Sequence, residues 1–135
     1  KANMFAWSAK VAARVPEDLT QRVESMLARR CIELLGLARR AGQAVSGYEK
    51  VRDWIARDRA GLLIEAADGS ADGRGKVTGA ARATPVICCL TAEELGAAFG
   101  RDRAVHVALA AGGFARRLHD EMRRLAGFRR DGDWK

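Results

Sequence analysis

Short apolar runs that alternate with stretches of helical spacing constrain the fold of this chain more than any other feature. The runs are Gln43-Ala44-Val45, Leu62-Leu63-Ile64, Pro85–Leu90 and Val105–Leu109, and Gly or Asp residues follow most of them. Each has strand length. The segments between them repeat apolar residues at three- and four-residue steps, the period of a helix face. Strands alternating with helices predict an α/β protein, here a three-layer α/β/α sandwich with a mixed four-stranded sheet.

Local signals set the boundaries. Val15-Pro16-Glu17-Asp18 opens the first helix, because Pro suits a first helical position and the acids suit the positive end of the dipole. Leu19, Val23, Met26, Leu27, Leu34 and Ala38 form its apolar stripe, and Gly42 should stop it just past Arg39 and Arg40. Ser46 and Glu49 stand at capping-box spacing before a second helix that buries Val51, Trp54 and Ile55. Thr91 and Glu94 repeat that spacing before a short helix through Leu95 and Phe99. A weaker helix covers Ser70–Arg82, diluted by glycines, and Phe114, Leu118, Met122 and Leu125 mark the last one. In the strand before it, His106 and Ala108 alternate with Val107 and Leu109, which predicts two different faces. The expected domain spans 17–126, with a basic lead-in over 1–16 and a polar tail over 127–135.

A hydrophobic share of 48% in 135 residues supplies an ordinary core, with no need of disulfides or metals to hold it. Cys31, Cys88 and Cys89 are odd in number and lack C-x-x-C spacing, so free thiols in a reducing cytosol are expected. The longest apolar run, Pro85–Leu90, is far too short to cross a bilayer. Lys1–Arg14 scatters charges among short apolar pairs, unlike a signal peptide, and there is no initiator Met. These features imply a cytoplasmic protein in trimmed or partial form. The net charge of +7 is uneven: residues 1–30 and 111–135 carry +3 each, and 31–110 only +1. Basic flanks suit polyanions, since each neutralised phosphate releases counterions.

Two motifs fail on inspection. Gly73-Arg74-Gly75-Lys76 lacks the earlier glycine of a phosphate-binding loop, where Ser70 stands, and has Val77 in place of the magnesium-binding hydroxyl. Asp68, Ser70, Asp72 and Gly73 start like a calcium loop, but Gly79 occupies the position of the bidentate Glu. No Ser or Cys has a base partner by spacing, and His106 and His119 stand alone, so no catalysis, metal or cofactor is expected.

What remains clusters around two helix starts. Arg39 and Arg40 end the first helix, and Gly42–Gly47 leads into the second, whose amino-terminal N–H groups form a natural phosphate site. Lys50 and Arg52 lie on its first turns. If the strand before Leu90 is near in space, the turn Leu90-Thr91-Ala92 brings another helix start close by. Phosphates of a folded RNA would then rest on Arg39, Arg40, Lys50 and Arg52.

Leu34-Leu35-Gly36-Leu37-Ala38-Arg39-Arg40-Ala41-Gly42, then Ser46-Gly47 before a helix, resembles the opening of YlxQ-type bacterial proteins. Those belong to the kink-turn-binding ribosomal-protein superfamily of L-seven-Ae and L-thirty-e. Thr91-Ala92-Glu93-Glu94-Leu95-Gly96 followed by Gly100 is similar to that family's fourth-helix signature, and Gly113-Phe114-Ala115 with Leu118 to its last helix. The similarity runs from Arg30 to Leu125. Lys1-Ala2-Asn3-Met4-Phe5 through Val15-Pro16 resembles the final helix of a YlxR-type domain and its linker. The second resemblance implies the carboxyl-terminal half of a YlxR-fused protein.

The family resemblance implies RNA contacts at Gly47, Tyr48, Glu49, Lys50 and Asp53, and at Leu90, Thr91 and Ala92. Kink-turn binders of the family carry Asn-Glu where this chain has Glu49-Lys50, and Lys where it has Asp53. An amide able to read a purine edge is thus replaced by a carboxylate, and a phosphate contact by an acid. The expectation is a non-enzymatic protein that binds structured RNA, in the company of ribosome components or RNA-processing factors, rather than a strict kink-turn binder. Two alternatives stay open. One is the RNA-substrate-binding part of an RNA-modifying enzyme, since similar domains precede the knotted domain of some ribose methyltransferases. The other is a protein-interaction module, which the nearly neutral central segment would suit.

Overall fold

The computed structural model describes residues 17–81 and 83–129. The lead-in over 1–16 and the end of the tail fall outside the described residues. Helix α1 (Glu17–Arg40) buries Leu27, Cys31, Leu34, Leu35 and Ala38. Leu19 and Met26, assigned by spacing to that stripe, are instead 46% and 52% exposed. At about 100° per residue they sit roughly a quarter-turn or more from the line through Cys31 and Ala38, on the same side as exposed Leu37.

The helix stops where expected. Gly42 takes φ 76°, its N–H donates to Arg39 O (3.0 Å), and the Gln43 N–H donates to Ala38 O (2.8 Å). That left-handed step satisfies the last carbonyls and turns the chain into β1 (Ala44–Ser46). β1 pairs antiparallel with β4 (His106–Ala110), β4 antiparallel with β2 (Ala60–Glu65), and β2 parallel with β3 (Val86–Ile87). The sheet order is therefore β1-β4-β2-β3.

Strand alternation divides the core in two. Leu62, Ile64, Val107 and Leu109 face α1, α4 (Ala92–Ala98) and α5 (Gly113–Phe128), where Leu35, Leu95, Leu118, Met122 and Leu125 meet them. Leu63 and Ala108 face α2 (Tyr48–Ala56) and α3 (Ala71–Ala81), against Val51, Trp54, Val77 and Ala81. Helices on both faces of a mixed four-stranded sheet make the three-layer sandwich. Burying each large aliphatic chain contributes about 1.5–3 kcal/mol, so the thicker first layer supplies most of the core energy.

Two boundaries move. The run Pro85–Leu90 gives only a two-residue strand. β2 ends at Glu65, so the following carbonyls find other donors: Leu90 O accepts from the Ala67 N–H (2.8 Å) and Cys89 O from Arg129 Nη1 (2.9 Å). The expected polar tail also starts too early. α5 runs to Phe128, and Arg129 is tied into the fold by ion pairs. The three cysteines are buried and free of disulfides. Burial pushes the thiols of Cys31 and Cys89 up to about 12. Among the described residues no helix is long and apolar enough to cross a membrane.

Candidate functional site

The two helix starts behave differently. α4 begins with the expected capping box: Thr91 Oγ1 accepts from the Glu94 N–H (3.1 Å), and Glu94 Oε1 accepts from the Thr91 N–H (2.9 Å). Asp68 Oδ1 accepts from the Ala92 N–H at 2.8 Å, so the fold itself uses the amides that open α4. Leu90 and Ala92 are fully buried and Thr91 is partly so. Burial alone would raise the Glu94 carboxyl, but hydrogen bonds from Arg129 and from the Thr91 backbone outweigh it and hold the group below its usual range.

α2 has no such box. Gly47, not Ser46, is its cap residue, at φ 106° and ψ 143°, and no side chain caps the helix. Ser46 pairs with Val107 in the ladder, which keeps its backbone extended and its side chain buried, with Oγ unpartnered. Glu49 is exposed instead of reaching back. The Gly47 N–H donates to His106 O (3.0 Å), anchoring the helix start to β4. The first turn of α2 thus keeps amide donors that no side chain occupies.

On the first two turns of α2, Lys50 and Arg52 are exposed. Arg52 donates to Tyr48 Oη (2.9 Å), with its guanidinium carbon 5.6 Å from the ring centre. Asp53 is paired with Arg57 one turn on (3.0 Å) and so is part of a local surface bridge. Arg39 lies over the Phe99 ring (5.9 Å), beside the end of α4, and the length of β1 separates it and Arg40 from the start of α2. The expected single cluster of Arg39, Arg40, Lys50 and Arg52 is therefore two groups.

A cleft of about 480 Å³ adjoins the α2 start, lined by Gly47, Asp68, Gly69, Ser70, Arg101, Arg103, Ala104, Val105 and His106. Gly47 is the only residue of the expected site that lines it. The arginines come from the loop after α4, which lies flat on that helix because Gly96 has no side chain. A Cβ there would stand 2.7 Å from Arg103 N and 2.8 Å from Arg101 O. The Arg101 N–H donates to Gly96 O (2.9 Å) and the Ala104 N–H to Ala92 O (3.0 Å), which strap the loop down. Arg101 and Arg103, two cations in a short loop after Gly100, were visible in the sequence; their place beside Gly47 was not.

Behind the cleft, Glu65 and His106 face each other across β2 and β4, with Glu65 Oε1 2.7 Å from His106 Nδ1. Glu65 is fully buried and its Oε2 has no partner. Burial pushes its carboxyl up to about 8 against the pull of Arg74, and burial lowers His106. The Tyr48 ring packs 5.6 Å from the imidazole. His106 stands alone by spacing because its partner is 41 residues away. Among the described residues, no group of three or more His, Cys, Asp or Glu could hold a metal.

Comparison with known proteins gives a likeness of fold. No family model matches the chain, and no curated protein matches it. A solved structure of a protein of unknown function from Bacillus halodurans is similar at 27% identity and TM-score 0.64, over 69% of this chain and 96% of that one. The 15.5 kD RNA binding protein of Giardia lamblia is similar at 14% identity and TM-score 0.57, over 76% of this chain and 90% of that one.

Proposed function

We propose that this chain is a non-enzymatic RNA-binding domain that recognises structured RNA in a ribosomal or RNA-processing setting. One observation carries the reading. The uncapped start of α2 stands between two sets of cations, Lys50 and Arg52 on the helix and Arg101 and Arg103 in the adjoining cleft. Free amides at a helix start and flanking guanidinium groups favour phosphate, and counterion release makes the attraction strong at low salt. The shared fold with the Giardia RNA binding protein supports the same reading. Glu49 and Asp53 put carboxylates on the outer face of α2, so the domain reads RNA shape through its backbone and is not a strict kink-turn binder.

Fluorescence anisotropy with labelled folded RNAs, repeated over a range of salt, tests this. Affinity should fall steeply with salt, and Lys50→Glu combined with Arg52→Glu should weaken binding and flatten the salt slope by about two charges. Salt-independent binding, or none to any folded RNA, would overturn the reading.

A further inference from the structure

We infer that the cleft between the α2 start and the loop after α4 is a phosphate pocket, in which Arg101, Arg103 and the outward ring nitrogen of His106 hold the anion while buried Glu65 keeps that nitrogen protonated. The inference deepens the RNA reading, because RNA supplies such a phosphate, although a free phosphate ion has the same chemistry.

The donor count carries the argument. At 2.7 Å, a proton lies between Glu65 Oε1 and His106 Nδ1. Four protonation states are open to the pair, and in the one with neutral Glu65 and a charged imidazolium Nδ1 donates inward while Nε2 carries a proton. With neutral Glu65 and neutral His106, the carboxyl donates to Nδ1, and Nε2 carries the imidazole proton. With ionised Glu65 and a charged imidazolium, Nδ1 donates inward and Nε2 again carries a proton. Only ionised Glu65 with neutral His106 turns Nε2 into an acceptor. That state leaves a carboxylate with no exposure and with one oxygen unpartnered, which is costly. Burial accordingly pushes Glu65 up to about 8. Below that pH the outer edge of the ring is a donor whichever residue holds the shared proton.

The surroundings match an anion with more than two oxygens. Ser70 Oγ accepts from the Gly73 N–H (3.0 Å), which leaves its own proton to donate. Two guanidinium groups, one imidazole N–H and one hydroxyl exceed what a carboxylate accepts and suit a phosphate. The groups around the pair are Arg74 from α3, the Tyr48 ring from α2, Arg101 and Arg103 from the loop, and Asp68 from the turn after β2. Asp68 is the opposing charge, and its Oδ1 is committed to the Ala92 N–H. The volume lies within the range of small-ligand sites, about 300–1,000 Å³, so a phosphate with its attached sugar can enter.

The test uses imidazole NMR on the full chain. His119→Gln leaves His106 as the one reporter, since the sequence has two histidines. Inorganic sulfate is the first probe and a folded RNA the second. Sulfate keeps a constant charge from about pH 6 to about pH 9, so any pH dependence of its binding belongs to the protein. Sulfate should move the His106 Nε2 resonance at about pH 6.5, and its affinity should fall about tenfold per pH unit above about 8. Arg103→Ala, at an exposed position, should weaken sulfate binding by about tenfold. His106→Gln, whose amide donor does not titrate, should bind and lose the fall at high pH. An unmoved His106 resonance under sulfate overturns the pocket. RNA binding that ignores pH and Arg103→Ala overturns it too, and leaves the RNA reading standing. A sulfate response without any RNA binding supports the pocket as a site for a free anion and removes the RNA reading.

Discussion

Arg129 closes on Glu94 with two parallel bonds, Nη1 to Oε1 at 2.7 Å and Nη2 to Oε2 at 2.8 Å. The residue that follows α5 is thereby held by the residue that completes the cap of α4. Arg129 Nε also reaches Glu24 Oε2 of α1 at 2.8 Å. One guanidinium joins three helices on one face of the sheet, in a forked geometry that Lys could not reproduce.

Arg129→Ala should therefore lower stability by about 2–3 kcal/mol, because it leaves a half-buried carboxylate without its cation. Glu94 has a folded value below its ordinary 4.5. Its contribution is full above that value and disappears as pH falls through the lowered one. Urea unfolding of parent and variant should show a wide gap at about pH 7 that narrows at about pH 3. A gap that does not change with pH would assign the loss to packing alone.

Ser46→Ala separates the two readings of the α2 start. A capping serine would cost about 1 kcal/mol on removal. The buried, unpartnered hydroxyl found here instead predicts a neutral or stabilising change, up to about 1 kcal/mol. Thermal melts of the variant decide between the two signs.

Gly96→Ala would drive a methyl group into the backbone of the arginine loop, at 2.7–2.8 Å. Backbone cannot move aside as a flexible side chain can, so the expected cost is about 1–3 kcal/mol. Amide shifts should change over the loop at 101–106, and binding of folded RNA should weaken. Unperturbed loop amides would show that the arginines do not depend on this contact.

Glu65→Gln tests the buried carboxyl. Its folded value, about 8, lies above the ordinary 4.5. The folded state therefore favours the protonated acid, and stability from this group erodes as pH rises from about 4.5 toward about 8. Glutamine does not titrate, so the variant should gain on the parent across that window, by several kcal/mol once the pH is above about 8. Melting both proteins at about pH 5 and about pH 9 checks it, and an equal difference at both would contradict the raised carboxyl.

Much of the fold was legible because its signals are local. The alternation of Val107 and Leu109 with His106 and Ala108 assigns two sheet faces within five residues. Thr91 and Glu94 cap a helix with partners three residues apart. Ser46 and Glu49 have the same spacing and do something else, because the ladder partner Val107 comes from far along the chain. Glu65 and His106, or Arg129 and Glu24, meet only once register and helix packing are in place, the latter pair across 105 residues. The candidate site suffered most from this. Its cations and its histidine were all in view, while the cleft that gathers them is made by the return of one loop over Gly96.

The outermost strands carry a consequence for behaviour at high concentration. β1 has three residues and β3 two, so neither border of the sheet presents a row of backbone groups long enough to recruit a neighbour's strand. Short borders are one of the ways natural sheets avoid edge-to-edge aggregation. Among the described residues, the sheet therefore lacks the long, flat hydrogen-bonding edge that seeds fibrils.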